Sequence, residues 1–119
     1  MGIQGPGDFF DTIVLGERMP RHWISGSNGF SRTQDFAGSA PENLVNQMIH
    51  LIMTYEADGR IALYRNGEPY GKPYQKNLAT FPQGKSSVLF GLRHTPKGGN
   101  KHLAVIIDKA RLYDRALNP

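Results

Sequence analysis

Cysteine is absent from all 119 residues. That excludes disulfides, thiolate metal sites and cysteine nucleophiles, and it leaves the redox compartment open. Long apolar runs are missing as well. No segment approaches the ~18–20 consecutive apolar residues of a membrane span, so membrane insertion is not expected. The start, Met1-Gly2-Ile3-Gln4-Gly5-Pro6-Gly7, has neither a basic n-region nor an apolar h-region and reads as no signal peptide. Pro6, where Ser or Thr would be needed, sets a myristoylation reading aside.

Chemistry-bearing patterns are equally scarce. His22, His50, His94 and His102 show neither HxH nor HxxxH spacing, which argues against zinc. Glycosidases place two carboxylates ~5–9.5 Å apart around the scissile bond. Here only Glu56 and Asp58 alternate closely, and Asp58 belongs to an Asp-Gly turn, while Asp8 and Asp11 have the wrong spacing for one strand face. Ser86-Ser87 sits in no nucleophile-elbow motif. Catalysis is therefore not expected. The net charge of +4 comes from basic residues spread from Arg18 through Lys72 to Arg115. With no basic run and no recognition motif, the charge reads as solubility charge, and nucleic acid is not an expected partner.

What is present is punctuation. Fourteen glycines and eight prolines exceed the roughly 12% of average chains and imply many turns between short strands. The clearest passage is Tyr55-Glu56-Ala57-Asp58-Gly59-Arg60-Ile61-Ala62-Leu63-Tyr64-Arg65-Asn66-Gly67-Glu68-Pro69. Asp-Gly and Asn-Gly suit two-residue hairpin turns, whose central residues take positive φ. Between them a strand would put Ile61 and Leu63 on one face and Arg60, Ala62 and Tyr64 on the other. This is the pattern of an antiparallel meander.

Further strands are predicted along the chain. Phe9 to Leu15 is rich in β-branched residues, His22-Trp23-Ile24 is short, and Phe30 to Phe36 alternates. Residues 37–47 read as loop. Met48 to Ala57 carries apolar residues on both faces, which predicts a central strand covered on both sides. Pro73 predicts an edge or irregular strand over Tyr70 to Tyr74. Ser87 to Arg93 alternates, and Leu103 to Ile107 is a continuous apolar run expected to be a buried strand that continues through Ala110 to Tyr113. Regularly spaced strands without a convincing helix predict an all-β, antiparallel two-sheet sandwich in a single domain over residues 1–119. The alternating aliphatics, with Trp23, Phe36 and Phe81, would fill its two inner faces.

Four blocks in order strengthen this reading: Trp23-x2-Gly26-Ser27-Asn28-Gly29-Phe30-x-Arg32-Thr33, Leu63-Tyr64-Arg65-Asn66-Gly67-x-Pro69-Tyr70-Gly71, Val88-Leu89-Phe90-Gly91-Leu92-Arg93-His94, and Ala110-Arg111-Leu112-Tyr113-Asp114-Arg115-Ala116-Leu117. From about Phe9 to Leu117 the chain resembles the concanavalin A-like, laminin-G-type jelly rolls of large bacterial cell-envelope proteins. The resemblance implies a non-catalytic carbohydrate- or protein-recognition module of a larger, exported, extracytoplasmic protein. The alternative is a structural or assembly domain without a soluble ligand, and a glycoside hydrolase comes a distant third. Complete domains of this type begin with strands upstream of Phe9, so the resemblance implies an N-terminally incomplete jelly roll that self-associates through exposed sheet edges. Val105 and Ile106 stand near where relatives usually carry a Gly, which makes the closing strand more apolar here. No cofactor is expected. Calcium, held by many laminin-G relatives, is compatible with the scattered acids, but no ligands are assigned.

Lectin sites pair an aromatic face with planar polar side chains. On that ground Tyr64, Arg65, Tyr70 and Tyr74 around the Asn-Gly turn, and Arg93, His94 and Asn100 around the Gly98-Gly99 loop, are the candidate ligand-binding residues. Each also has a structural reading: Asn66 as a turn former, the tyrosines as caps on the core, Gly98-Gly99 as a hairpin closure. Trp23 reads as core.

Overall fold

The structure is a computed structural model that describes residues 1–96 and 103–117. Its regular elements are eight strands and two three-residue 3-10 turns, with no α-helix among the described residues. The strands are β1 (Gly2–Gln4), β2 (Phe10–Leu15), β3 (Trp23–Ser27), β4 (Leu51–Tyr55), β5 (Arg60–Arg65), β6 (Glu68–Pro69), β7 (Tyr74–Gln75) and β8 (Ser87–Leu89). They form two antiparallel sheets. One runs β3-β2-β1-β8; in the other β5 pairs with β4, β6 and β7. No described helix is long and apolar enough to cross a membrane.

The Asn66-Gly67 turn takes the expected form. Both residues have positive φ (51° and 85°), and Arg65 pairs directly with Glu68. Asn66 also accepts a hydrogen bond from the His50 amide at Oδ1, 2.8 Å. The Asp58-Gly59 turn differs from expectation. Glu56 N donates to Arg60 O, so the loop has three residues, and only Gly59 takes positive φ (92°). Asp58 instead accepts the Arg60 amide on Oδ1, an Asx-type contact that negative φ permits. Register survives the change: Ile61 and Leu63 are both buried, facing the other sheet.

The core forms where the two sheets meet. Trp23, Phe36, Ile61, Leu63, Tyr70 and Tyr74 are its buried members, with Ile13, Leu15, Leu51 and Met53 packed against them. Burying each large aliphatic removes enough apolar surface to contribute about 1.5–3 kcal/mol. Hydrogen bonds tie the layers at defined points: the Trp23 amide donates to Tyr70 Oη (3.1 Å), Tyr74 Oη donates to Arg32 O (2.9 Å), and the Ser25 and Tyr55 hydroxyls are hydrogen-bonded at 2.8 Å. Desolvation and the nearby Asp11 charge push the Tyr55 phenol well above its ordinary range, so it stays neutral. Phe81 does not join this core; its ring meets Phe9 at 5.2 Å.

The structure departs from the expected strands at several places. Phe30 to Phe36 is not a strand. Phe30 has φ 54°, and the side chains of Arg32 and Thr33 turn inward to buried polar partners instead of alternating across a ladder. The strand begun at Trp23 runs on to Ser27. β4 is an edge, not a central strand: β5 is its only neighbour among the described residues, and Ile52 is exposed. Of Ser87 to Arg93, only Ser87–Leu89 pairs, and it pairs with β1, a strand upstream of Phe9 that was not expected. Leu103 to Ile107 forms no strand. Among the described residues its one backbone bond in a turn or loop runs from the Leu103 amide to Gly91 O, and Ile106 is 88% exposed. β-branched composition favours a strand only where a neighbouring edge accepts its ladder. Ala110 to Tyr113 is likewise exposed and irregular.

Candidate functional site

The sequence candidates fall into three environments. Tyr70 and Tyr74 are buried, their hydroxyls spent on Ala40 O (2.7 Å) and Arg32 O (2.9 Å). Tyr64 and Arg65 lie on β5, away from Arg93 and His94. Arg65 grips Glu42 with two bonds, Nε to Oε1 at 2.8 Å and Nη2 to Oε2 at 2.7 Å, and the same carboxylate accepts the Trp23 indole N–H at 3.1 Å. Bonds from Arg65 hold the Glu42 carboxyl below its ordinary range, against the opposing effect of burial. Asn100 lies outside the described residues, as do Gly98-Gly99 and His102.

Arg93 and His94 are brought together with residues that sequence reasoning passed over. With Phe10, Glu17, Ser27, Asn28, Gly29 and Phe30 they line a concavity of about 380 Å³. Its floor is the buried ring of Phe10. The His94 ring lies 4.9 Å from it and Arg93 Cζ 5.6 Å from it. Across from β1 the segment is anchored by Gln4, whose amide exchanges bonds with the Thr95 backbone: Nε2 to O at 2.8 Å, and Thr95 N to Oε1 at 2.7 Å. Arg93 Nη2, which can only donate, lies 3.2 Å from His94 Nε2.

The opposite wall is the turn after β3. Arg32 organises it from below. Its Nε donates to Asp11 Oδ1 (2.8 Å), its Nη2 to Phe10 O (3.0 Å) and to Asn28 Oδ1 (2.7 Å), and its Nη1 to Ser31 Oγ (3.1 Å). Burial pushes the Asp11 carboxyl above its ordinary range while the guanidinium pulls it down. Asn28 Oδ1 also takes the Phe10 amide at 3.3 Å. Phe30 stands at the rim, 40% exposed, with Arg18 Cζ 5.4 Å from its centroid. Arg18 is itself paired with Asp35.

Glu17 and Arg93 form an ion pair within the lining, and both are largely buried. Each leaves one buried atom without a hydrogen-bond partner among the described residues, Glu17 Oε2 and Arg93 Nε. Buried polar atoms are normally satisfied, so this pair is unusual in a chain with one other such atom described, Thr54 Oγ1. No group of three His, Asp or Glu that could hold a metal occurs among the described residues, and Asp11, Glu17 and Asp35 each face a guanidinium. The Glu56 and Asp58 carboxylates serve the hairpin loop, Glu56 by bonding Arg60 at 2.6 Å.

Asn28, Gly29 and Phe30 did carry a signal in sequence, since they sit in the first of the four family-like blocks. Glu17 carried none: it follows β2 as one polar residue among several.

Comparison with known proteins agrees with the fold. A laminin-G-type family model, described as concanavalin A-like lectin/glucanases superfamily, matches residues 4–119. No curated protein and no solved structure matches the chain. Domains of the laminin G type are generally non-catalytic modules that bind glycans or proteins and are often extracellular, within a superfamily that also includes glycoside hydrolases. Two antiparallel sheets and a family match over nearly the whole length lead to one conclusion: this chain belongs to the concanavalin A-like lectin/glucanase superfamily, as a laminin-G-like domain.

Proposed function

We propose that the chain is a non-catalytic recognition module of an exported protein and that its ligand is a glycan held in the concavity between Asn28-Phe30 and Arg93-His94. The observation that carries this reading is the lining itself. A half-exposed aromatic ring at the rim offers a face for sugar C–H groups, and planar polar side chains beside it offer donors for hydroxyls. Arg93 and His94 belong to this site; Tyr64 and Arg65 would form a separate surface around the Asn-Gly turn. Tyr70 and Tyr74 support the scaffold.

Binding to an array of oligosaccharides, with Phe30→Ala as the matched variant, tests the reading. Binding that is lost in the variant at unchanged melting temperature supports it. Absence of binding to every glycan, or equal binding by the variant, overturns it. A second reading, assembly through the sheet edge at β8, is favoured by exposed Val88 and Phe90.

A further inference from the structure

The exposed apolar surface of this chain is unevenly placed. Nine of the fourteen large hydrophobics exposed among the described residues lie between Val88 and Leu117, so one end of the sequence carries most of it. Two stretches there are complementary. The strand β8 pairs with β1 on one side and presents an open edge on the other. The run Leu103-Ala104-Val105-Ile106-Ile107 is apolar throughout and rich in β-branched residues, yet it forms no ladder among the described residues. Its side chains nonetheless alternate as in a strand. Leu103, Val105 and Ile107 line a hollow with Ile13 and Leu15, whereas Ile106 between them is 88% exposed. Neither stretch contains a charged residue, the usual guard on an unpaired edge.

We infer that the Leu103–Ile107 run of one copy pairs, as a strand, with the open edge of β8 in a second copy. This rests on the assembly reading above and names the strand that reading lacks. The occupant is a second copy because one chain supplies both halves, an edge without a strand and a strand-forming run without an edge. The chain does not close this pair on itself. The Leu103 amide is bonded to Gly91 O and the run packs toward β2, while the free edge of β8 faces away from β1 and β2. Charge sets the direction. Laid antiparallel, the run brings Asp108, which follows it, beside Lys85, which precedes β8, and sets Val105 against Val88 and Leu103 against Phe90. A parallel run would carry Asp108 toward Phe90 instead. Each copy gives one run and takes one, so two ladders related by a two-fold axis close a dimer.

Analytical ultracentrifugation of the full chain tests this. Expected is a wild-type dimer that dissociates on dilution, with no larger species. Ile106→Lys and Val88→Lys should each be monomeric at concentrations where the wild type is paired, and both should stay folded because the replaced side chains are exposed. Mixed in equal amounts, the two variants should recover one ladder, the intact run of one on the intact edge of the other. The mixture should therefore hold a heterodimer that neither variant forms alone. Lys85→Asp should weaken the wild-type dimer, and Lys85→Asp/Asp108→Lys should restore it. A dimer that survives Ile106→Lys but not Val88→Lys overturns this pairing and leaves assembly at β8 intact, since β8 then meets another β8. Mixed variants that stay monomeric, or a charge exchange that restores nothing, also overturn it. Growth beyond the dimer overturns the two-fold closure. Wild type that is monomeric at every concentration overturns both this pairing and the assembly reading. Should Val88→Lys fail to fold, Ile106→Lys and the charge exchange still decide the question.

Discussion

Arg32 reaches back from the turn after β3 and buries its guanidinium against the carboxylate of Asp11 on β2, 2.8 Å from Nε to Oδ1. Both side chains are almost wholly buried, and Arg32 has four further hydrogen-bond acceptors or partners within the same turn and strand. The pair occupies the end of the inner face of β2 where Ile13 and Leu15 give way to a polar residue. Its value lies less in stability than in fixing the route of the chain between Ser27 and Thr33.

From this follows an asymmetry between breaking the pair and replacing it. Arg32→Met leaves Asp11 charged and buried with no counter-charge and should cost about 3–5 kcal/mol. The double variant Asp11→Leu/Arg32→Met removes both charges and should cost clearly less than the sum of the two single changes. Urea denaturation of the four proteins, read as a double-mutant cycle, measures the difference. Additive costs would show that the two charges do not depend on each other.

Glu42 sets a pH dependence of definite sign. Bonds from Arg65 lower its carboxyl in the folded chain below the ordinary value of 4.5. Folding therefore gains from the charged form above that value, and the gain is lost as pH falls through the lower, folded-state value. Asp11 acts in the opposite sense, since its raised carboxyl makes the folded chain lose stability as pH climbs from 3.8 through the folded value. Glu42→Gln isolates the first effect. The stability difference between wild type and variant should be largest above about pH 4.5 and shrink on acidification. A difference that stays constant down to the acid limit would contradict the assignment.

How much of this was legible in the sequence depended on whether the information was local. Asn66-Gly67 specified its own turn, and the alternation from Arg60 to Tyr64 specified which side chains face the core, because both depend on neighbouring residues only. Trp23 was recognised as core for the same reason. Leu103 to Ile107 looked like the most strand-like run in the chain, yet a ladder needs a partner edge, and sequence does not say where one is. β1 escaped notice because three residues with a glycine carry almost no pattern. The candidate site was half visible. Arg93 and His94 were singled out, but the Gln4 to Thr95 contact that holds their segment spans 91 positions. The Glu17 to Arg93 pair spans the chain in the same way, and no periodicity encodes such contacts.

Gly71 offers a sharper stability test than the hairpin glycines. It takes φ 67°, and a Cβ added there would sit 2.6 Å from the backbone oxygen of Phe36, a core residue that cannot easily retreat. The next residue, Lys72, donates its amide to Ala37 O at 2.9 Å, so the two segments are in backbone contact. Gly71→Ala combines left-handed strain with that clash and should cost about 1–3 kcal/mol. Thermal unfolding reads the cost, and faster hydrogen exchange at the Lys72 amide would locate it. An unchanged melting temperature would mean that the contact relaxes freely.

The β8 strand leaves one sheet edge open among the described residues. Ser87–Leu89 pairs with β1 on one side and with nothing on the other among the described residues. Val88 is 43% exposed and Phe90 just beyond it 50%, so an apolar surface adjoins a row of unpaired backbone groups. Such an edge is a template for a strand from another molecule, and natural sheets guard against this with lysine on the edge. Concentration-dependent self-association should therefore appear in light scattering, and Val88→Lys should suppress it with little change in thermal stability. Wild-type protein that remains monomeric across the accessible concentration range would remove the assembly reading and leave recognition at the concavity as the role to pursue.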